Sequence, residues 1–160
     1  MKRVLLCILG VFIIILQNSI INYLSIFGMT INIVLIYLVI ISLYLEQLES
    51  GIIGAILGLV LDASVGGIFG SNALILFVLS YTVSYLRDKV YRESLVMIFT
   101  IILGATLIYN GASFLFAKSL YNVCKFTSII KIVGLPVVNS LVGIILYKIF
   151  ENQILKLEEE

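Results

Sequence analysis

The sequence predicts an all-α polytopic membrane protein, with six transmembrane helices forming a single domain over residues 1–160. Three observations predict it. The chain is 62% hydrophobic and 12% charged, whereas ordinary globular domains are about a quarter charged. Its apolar runs have lengths suited to a hydrocarbon core of ~30 Å. The charges that remain gather in short loops between those runs.

The elements follow in chain order. The N-terminus, MKRVLLCILGVFIIILQNS, has a basic start and an apolar core like a signal peptide. It lacks a small-x-small cleavage site, so it reads as a retained first helix over residues 4–23. Gly28-Met29-Thr30 makes a turn. The second helix runs from Ile31 to Leu45, and Asn32 is placed to satisfy free N–H groups in its first turn. Glu46 to Ser50 reads as a polar loop, and the third helix as Gly51 to Val65. Gly66-Gly67 ends it, and Ser71 or Asn72 caps a fourth helix reaching Leu86. The most charged loop holds Arg87, Asp88, Lys89, Arg92 and Glu93. A fifth helix spans residues 95–116. Residues 117–131 mix apolar and basic side chains and read as an interfacial segment. The sixth helix covers residues 132–150, with Pro136 near its start, where proline is tolerated. The tail ENQILKLEEE reads as a frayed helix end.

Six spans put both termini on one side. With Lys2 and Arg3 in the cytoplasm, seven basic residues fall inside (Lys2, Arg3, Arg87, Lys89, Arg92, Lys148, Lys156) and three outside (Lys118, Lys125, Lys131). That bias favours cytoplasmic termini.

The stretch from Gly51 to Leu74, GIIGAILGLVLDASVGGIFGSNAL, is the chain's most unusual. Five of the twelve glycines lie between Gly51 and Gly67, with Gly70 just beyond. Gly54, Gly58 and Asp62 are four residues apart and share one helical face. Glycines at that spacing let another helix backbone approach closely, within the bundle or between copies. Asp62 lies about 16 Å along the helix from Gly51, at 1.5 Å per residue. An acid inside an apolar helix is costly and marks a functional hypothesis. It has three readings: a hydrogen-bonded residue fixing helix packing, an ion or substrate site in a transporter, and an indirect contact with a partner. The start of the fourth helix should lie nearby, where its free N–H groups and dipole favour a carboxylate. The packing role is therefore the expected one.

Several function classes lack their residues. There is no His to act as a base and no G-x-S-x-G or P-loop signature. Cys7 and Cys124 have no metal-ligand spacing and read as small apolar fillers. No basic or aromatic-basic stripe of the kind nucleic acid requires is present. The expectation is a protein without catalysis, cofactor or metal.

Asn32, an apolar helix, Gly54-x-x-x-Gly58-Leu59-x-x-Asp62, then Gly66, Gly70 and Ala73-Leu74 form an ordered set. It resembles the pattern of the rod shape-determining protein MreD family. In that pattern the position of Asn32 is usually preceded by Pro, and here Ile31 stands there. The resemblance covers nearly the whole chain in length, span count and motif position. It implies a multi-pass subunit of the bacterial cytoplasmic membrane, without catalysis. Its partners would be an MreC-like membrane protein and, indirectly, the MreB filament, RodA and a transpeptidase of lateral peptidoglycan synthesis. The implied site residues are those of helix packing or a partner interface: Asn32, Gly54, Gly58, Asp62, Gly66 and Gly70. The family fold is similar to the substrate-binding subunits of energy-coupling-factor transporters, which supplies an alternative function, a small-molecule-binding transporter subunit. Such a binder needs polar and aromatic groups converging under the outer loops, for which the chain offers Asn110, Ser113 and Tyr121.

Overall fold

A computed structural model describes residues 2–21, 30–65, 69–87, 94–121 and 129–158. Six helices account for almost all of them, and no strand occurs among the described residues. Helix α1 (Lys2–Leu16) continues through a wider π-helical turn, Gln17–Ile21. Then come α2 (Ile33–Ser42), α3 (Gln47–Val65), α4 (Ser71–Leu86), α5 (Leu95–Tyr121) and α6 (Ile129–Glu158).

The helix α2, IVLIYLVIIS, is apolar on every side, which is the composition of a helix buried all round. Every residue from Val34 to Ser42 is buried, and α2 packs against all five other helices. It divides the core in two. On one face Leu35, Ile36, Val39 and Ile40 meet Ile75, Leu79 and Val83 of α4, Ile98 and Ile102 of α5, and Tyr147 of α6. On the other, Val34, Tyr37, Leu38 and Ile41 meet Ile14 of α1, Ile53, Leu57 and Leu61 of α3, and Leu76 of α4.

Polar side chains register the helices at the end of the bundle carrying the α2–α3 turn. The Tyr37 hydroxyl donates to the Leu6 carbonyl at 2.8 Å. The Ser84 hydroxyl and the Arg87 guanidinium both donate to the Leu45 carbonyl, at 2.6 and 3.1 Å. Ser50 donates to the Ser42 hydroxyl at 2.6 Å, and the Tyr44 and Tyr147 hydroxyls pair at 2.9 Å. Arg3 and Glu49 form an ion pair.

Some boundaries differ from the sequence expectation. Helix α3 begins at Gln47, so most of the expected polar loop is its first turn. Ser50 faces inward, fully buried, where its hydroxyl finds partners and the loop-forming tendency of serine is overridden. Helix α5 continues through Lys118 to Tyr121, and the rest of the expected interfacial segment lies in α6 or outside the described residues. Helix α6 runs on as far as Glu158 through the expected frayed tail. Helix α2 runs from Ile33 to Ser42 rather than from Ile31 to Leu45, because Asn32 stands outside it as its cap.

Among the described residues, two helices are long and apolar enough to cross a membrane, over Gln47–Ser64 of α3 and Leu95–Phe116 of α5; the others are apolar but shorter in their apolar parts.

Candidate functional site

The site is built on the α3 face that carries Gly54, Gly58 and Asp62. A Cβ on Gly58 would lie 2.5 Å from the Ala73 amide nitrogen and 2.7 Å from the Asn72 carbonyl carbon. On Gly54 it would lie 2.6 Å from the Leu76 carbonyl oxygen and overlap the Ser80 hydroxyl. The α4 backbone therefore rests directly on the two glycines. Their face is occupied inside the chain and is not a free surface for a second copy.

This contact delivers the first turn of α4 to Asp62, one helical turn above Gly58. Asp62 is 4% exposed. Its Oδ2 accepts from the Gly70 amide at 2.9 Å and the Ala73 amide at 3.2 Å. Its Oδ1 accepts from the Asn72 amide at 3.2 Å and the Asn72 Nδ2 at 2.8 Å. Four donors on one carboxylate, three of them free N–H groups of a helix start, make a charge-assisted cap. The α4 dipole favours negative charge here by about 0.3–1 kcal/mol, and up to ~2 kcal/mol in buried geometry. Gly70 precedes α4 with φ +94°, ψ −11°, in the left-handed region where a side chain is disfavoured. It carries no capping side chain of its own, so the cap comes from α3.

Asn72 carries the network onward. Its Oδ1 accepts from the Tyr109 hydroxyl at 2.6 Å, which joins α3, α4 and α5. Tyr109 packs against both halves of the core. The buried Ser113 hydroxyl, one turn beyond Tyr109, lies beside the Tyr109 side chain and makes no well-formed hydrogen bond among the described residues.

A second capped helix start lies at a similar height. Asn32 Oδ1 accepts from the Leu35 amide at 3.0 Å, and Gln17 Oε1 accepts from the Val34 amide at 3.0 Å. The Asn32 amide donates to Asn139 Oδ1 at 3.2 Å. Asn139 is fully buried, and its Nδ2 lies 3.4 Å from Thr106 Oγ1. The N-terminus of α2 is thus held from α1, α6 and, through Asn139, α5.

The structure brings Gly54, Gly58, Asp62 and Gly70 together at the α3–α4 contact and places Asn32 on the start of α2. Gly66 lies outside the described residues, as does Cys124. Asn110 and Ser113 are on α5. Gln17, Tyr109, Thr106 and Asn139 were missed by sequence reasoning. The signal for Asn139 was present, since an amide inside an apolar helix demands an interhelical partner; Gln17 opens the polar run Gln17-Asn18-Ser19, and nothing local sets it apart from Asn18. Nothing local marks Tyr109 among the chain's nine tyrosines. Among the described residues, no three His, Cys, Asp or Glu side chains converge as a metal site.

The arrangement defines a class, a helical bundle in which the buried carboxylate of Asp62 and the amides of Gln17, Asn32, Asn72 and Asn139 hold helix starts and join helices. No family model matches the chain, and neither a curated protein nor a solved structure matches it.

Proposed function

We propose that this chain is a non-catalytic integral membrane subunit of the bacterial cell-elongation complex, of the MreD type. It would bind an MreC-like membrane protein and help position lateral peptidoglycan synthesis. In this reading the six helices span the cytoplasmic membrane, with both termini in the cytoplasm. The observation that carries the proposal is the state of Asp62. Its four hydrogen bonds among the described residues go to the α4 helix start and Asn72, which suits a rigid scaffold. An ion-coupled transporter needs a carboxylate free to exchange partners. In lipid, apolar surface does not drive helices together, and close glycine contacts and interhelical hydrogen bonds take over. The α3–α4 contact includes both. The resemblance in the ordered motif supplies the identity of the partners.

The test is purification of the full chain in mild detergent from cells making wild type, Asp62→Asn or Asp62→Leu. Recovery of an MreC-like protein should fall in that order, because an Asn oxygen still accepts N–H bonds whereas Leu leaves helix-end donors unpaired. Co-purification of an ATPase module in place of an MreC-like protein would overturn the reading and favour the transporter subunit. Equal loss of function in the two variants, with protein level and partner recovery normal, would overturn the structural role of Asp62.

A further inference from the structure

We infer that the face of α4 carrying Phe77, Tyr81 and Tyr85 docks a transmembrane helix of another protein, one that presents a hydrogen-bond acceptor to the Tyr81 hydroxyl. The inference rests on the membrane-spanning reading above and deepens it by naming the surface that meets the partner.

Leu74, Phe77, Val78, Tyr81 and Tyr85 are exposed and, at three- and four-residue spacing, share one side of α4. Phe77 and Tyr81 stack, with ring centroids 6.3 Å apart and planes 22° from parallel. Phe77 also packs on α3, since a Cβ on Gly51 would lie 2.9 Å from its ring. The stripe is thus an ordered aromatic ridge within the chain itself. The exposed stripes of α1 (Leu5, Ile8, Phe12, Ile15) and α6 (Val137, Leu141, Ile145, Ile149) carry no polar side-chain atom, which suits lipid.

Tyr81 does not suit lipid. Arg87 marks the base of α4, where its guanidinium donates to the Leu45 carbonyl. Tyr81 stands six residues closer to the start of α4, about 9 Å into the span at 1.5 Å per residue. Helical side chains lean toward the helix N-terminus, which for α4 is the end away from Arg87. The hydroxyl is therefore carried toward the middle of a hydrocarbon core ~30 Å thick, and the stacking on Phe77, one turn further in, has the same direction. A polar group at that depth needs a partner, because the bilayer core offers none. The exposed hydroxyls of Ser64, Thr82 and Thr100 find theirs in the carbonyl four residues back, at 2.7, 2.7 and 2.8 Å. A phenol cannot do this, since the ring holds its oxygen away from its own backbone. Among the described residues the Tyr81 hydroxyl makes no hydrogen bond.

Three sources of an acceptor can be compared. Lipid ester carbonyls lie at the edge of the hydrocarbon, on the far side of Tyr81 from the direction in which it leans. A second copy laid face to face brings phenol to phenol, because the stripe has no carboxylate or amide side chain. A helix of another protein that brings a carboxylate or amide oxygen satisfies the hydroxyl with a stronger acceptor. It also covers the aromatic ridge, and aromatic anchors dominate interface energetics. Interhelical hydrogen bonds and close packing are the forces that join helices in lipid.

The test uses the full chain in bacterial membranes, co-expressed with the MreC-like subunit of the proposed function. The photoreactive residue p-benzoylphenylalanine replaces Val78 on α4 or, as controls, Ile8 on α1 or Ile145 on α6. Illumination should join position 78 to the transmembrane segment of the MreC-like subunit, mapped by mass spectrometry, and should join neither 8 nor 145 to it. Tyr81→Phe keeps the ring and its stacking and removes only the hydroxyl. It should lower recovery of that subunit in mild detergent by about threefold, the size of one interhelical hydrogen bond in a membrane. The thermal melt of the chain purified alone should not change. Val78→Trp should block recovery, and Ile145→Trp should not. Crosslinks from 8 or 145 in place of 78 overturn the inference. So does joining of 78 to α4 of a second copy, or full recovery with both Tyr81→Phe and Val78→Trp. Each of these leaves the proposed function standing. If the wild-type chain recovers no MreC-like subunit, the proposed function itself fails and the inference falls with it.

Discussion

At the residue scale, Asp62 shows how one side chain closes a helix start from another element. Hydrogen bonds to a charged group contribute about 1.5–3 kcal/mol each in net terms, and an orphaned buried donor costs about 1–3 kcal/mol. Asp62→Leu orphans several donors, so the variant should lose most of its folded fraction in detergent thermal melts. Asp62→Asn should retain a cooperative transition at lower temperature. The glycines divide by environment. Gly58→Ala places a methyl group against the α4 backbone and should destabilise by ~1–3 kcal/mol, as overpacking does. Gly111→Ala meets nothing and should be neutral or stabilising by about 0.5–1 kcal/mol. A Gly58→Ala variant as stable as wild type would show that α4 does not rest on that residue.

At the scale of elements, two networks set where helices begin. Tyr109→Phe removes one hydroxyl and should cost about 1 kcal/mol. In a double-mutant cycle it should couple to Asn72→Ala, because the hydroxyl bonds Asn72 Oδ1; additive effects would show that the bond contributes nothing. Asn139→Leu should cost more than Tyr109→Phe, since it leaves the Asn32 amide without that acceptor at a buried helix start. Amide hydrogen exchange at Asn32 and in the first turn of α2 is the direct readout, and it should accelerate. The helix most dependent on these contacts is α2. It is only ten residues long, and isolated helices of that length are marginal. Its persistence comes from burial on all sides and from Asn32, Gln17 and Asn139 at its start.

At the scale of the whole molecule, the reading of six spans makes a topological prediction from the seven-to-three distribution of basic residues. Reporter fusions after Asp88 and after Glu160 should read cytoplasmic, and a fusion at Lys125 external. A cytoplasmic signal at Lys125 would sink the six-span arrangement. Much of the plan is legible in the sequence for a simple reason. Apolar length, the positions of glycine and a single interior acid are local properties, and helix formation in so apolar a chain leaves few alternatives. The spacing of Gly54, Gly58 and Asp62 puts them on one face of a helix before any fold is known. The start of α4 could be sought near Asp62 because only a few residues separate the two.

The limit of that legibility lies where partners are distant in sequence. By itself the sequence determined that the chain is helical, where most helices run, and that Asp62 requires donors close to the start of α4. Only the tertiary structure decided which glycine face meets which backbone, that α2 is enclosed by every other helix, and that Gln17 and Asn139 reach its first turn from 17 and 107 residues away. It also decided where α3 begins, because Ser50 finds a partner in Ser42, and a buried partner outweighs local loop preference. The physical reason is common to all four. Periodicity records which side of a helix is apolar, whereas packing and hydrogen-bond satisfaction depend on what the rest of the chain places against that side.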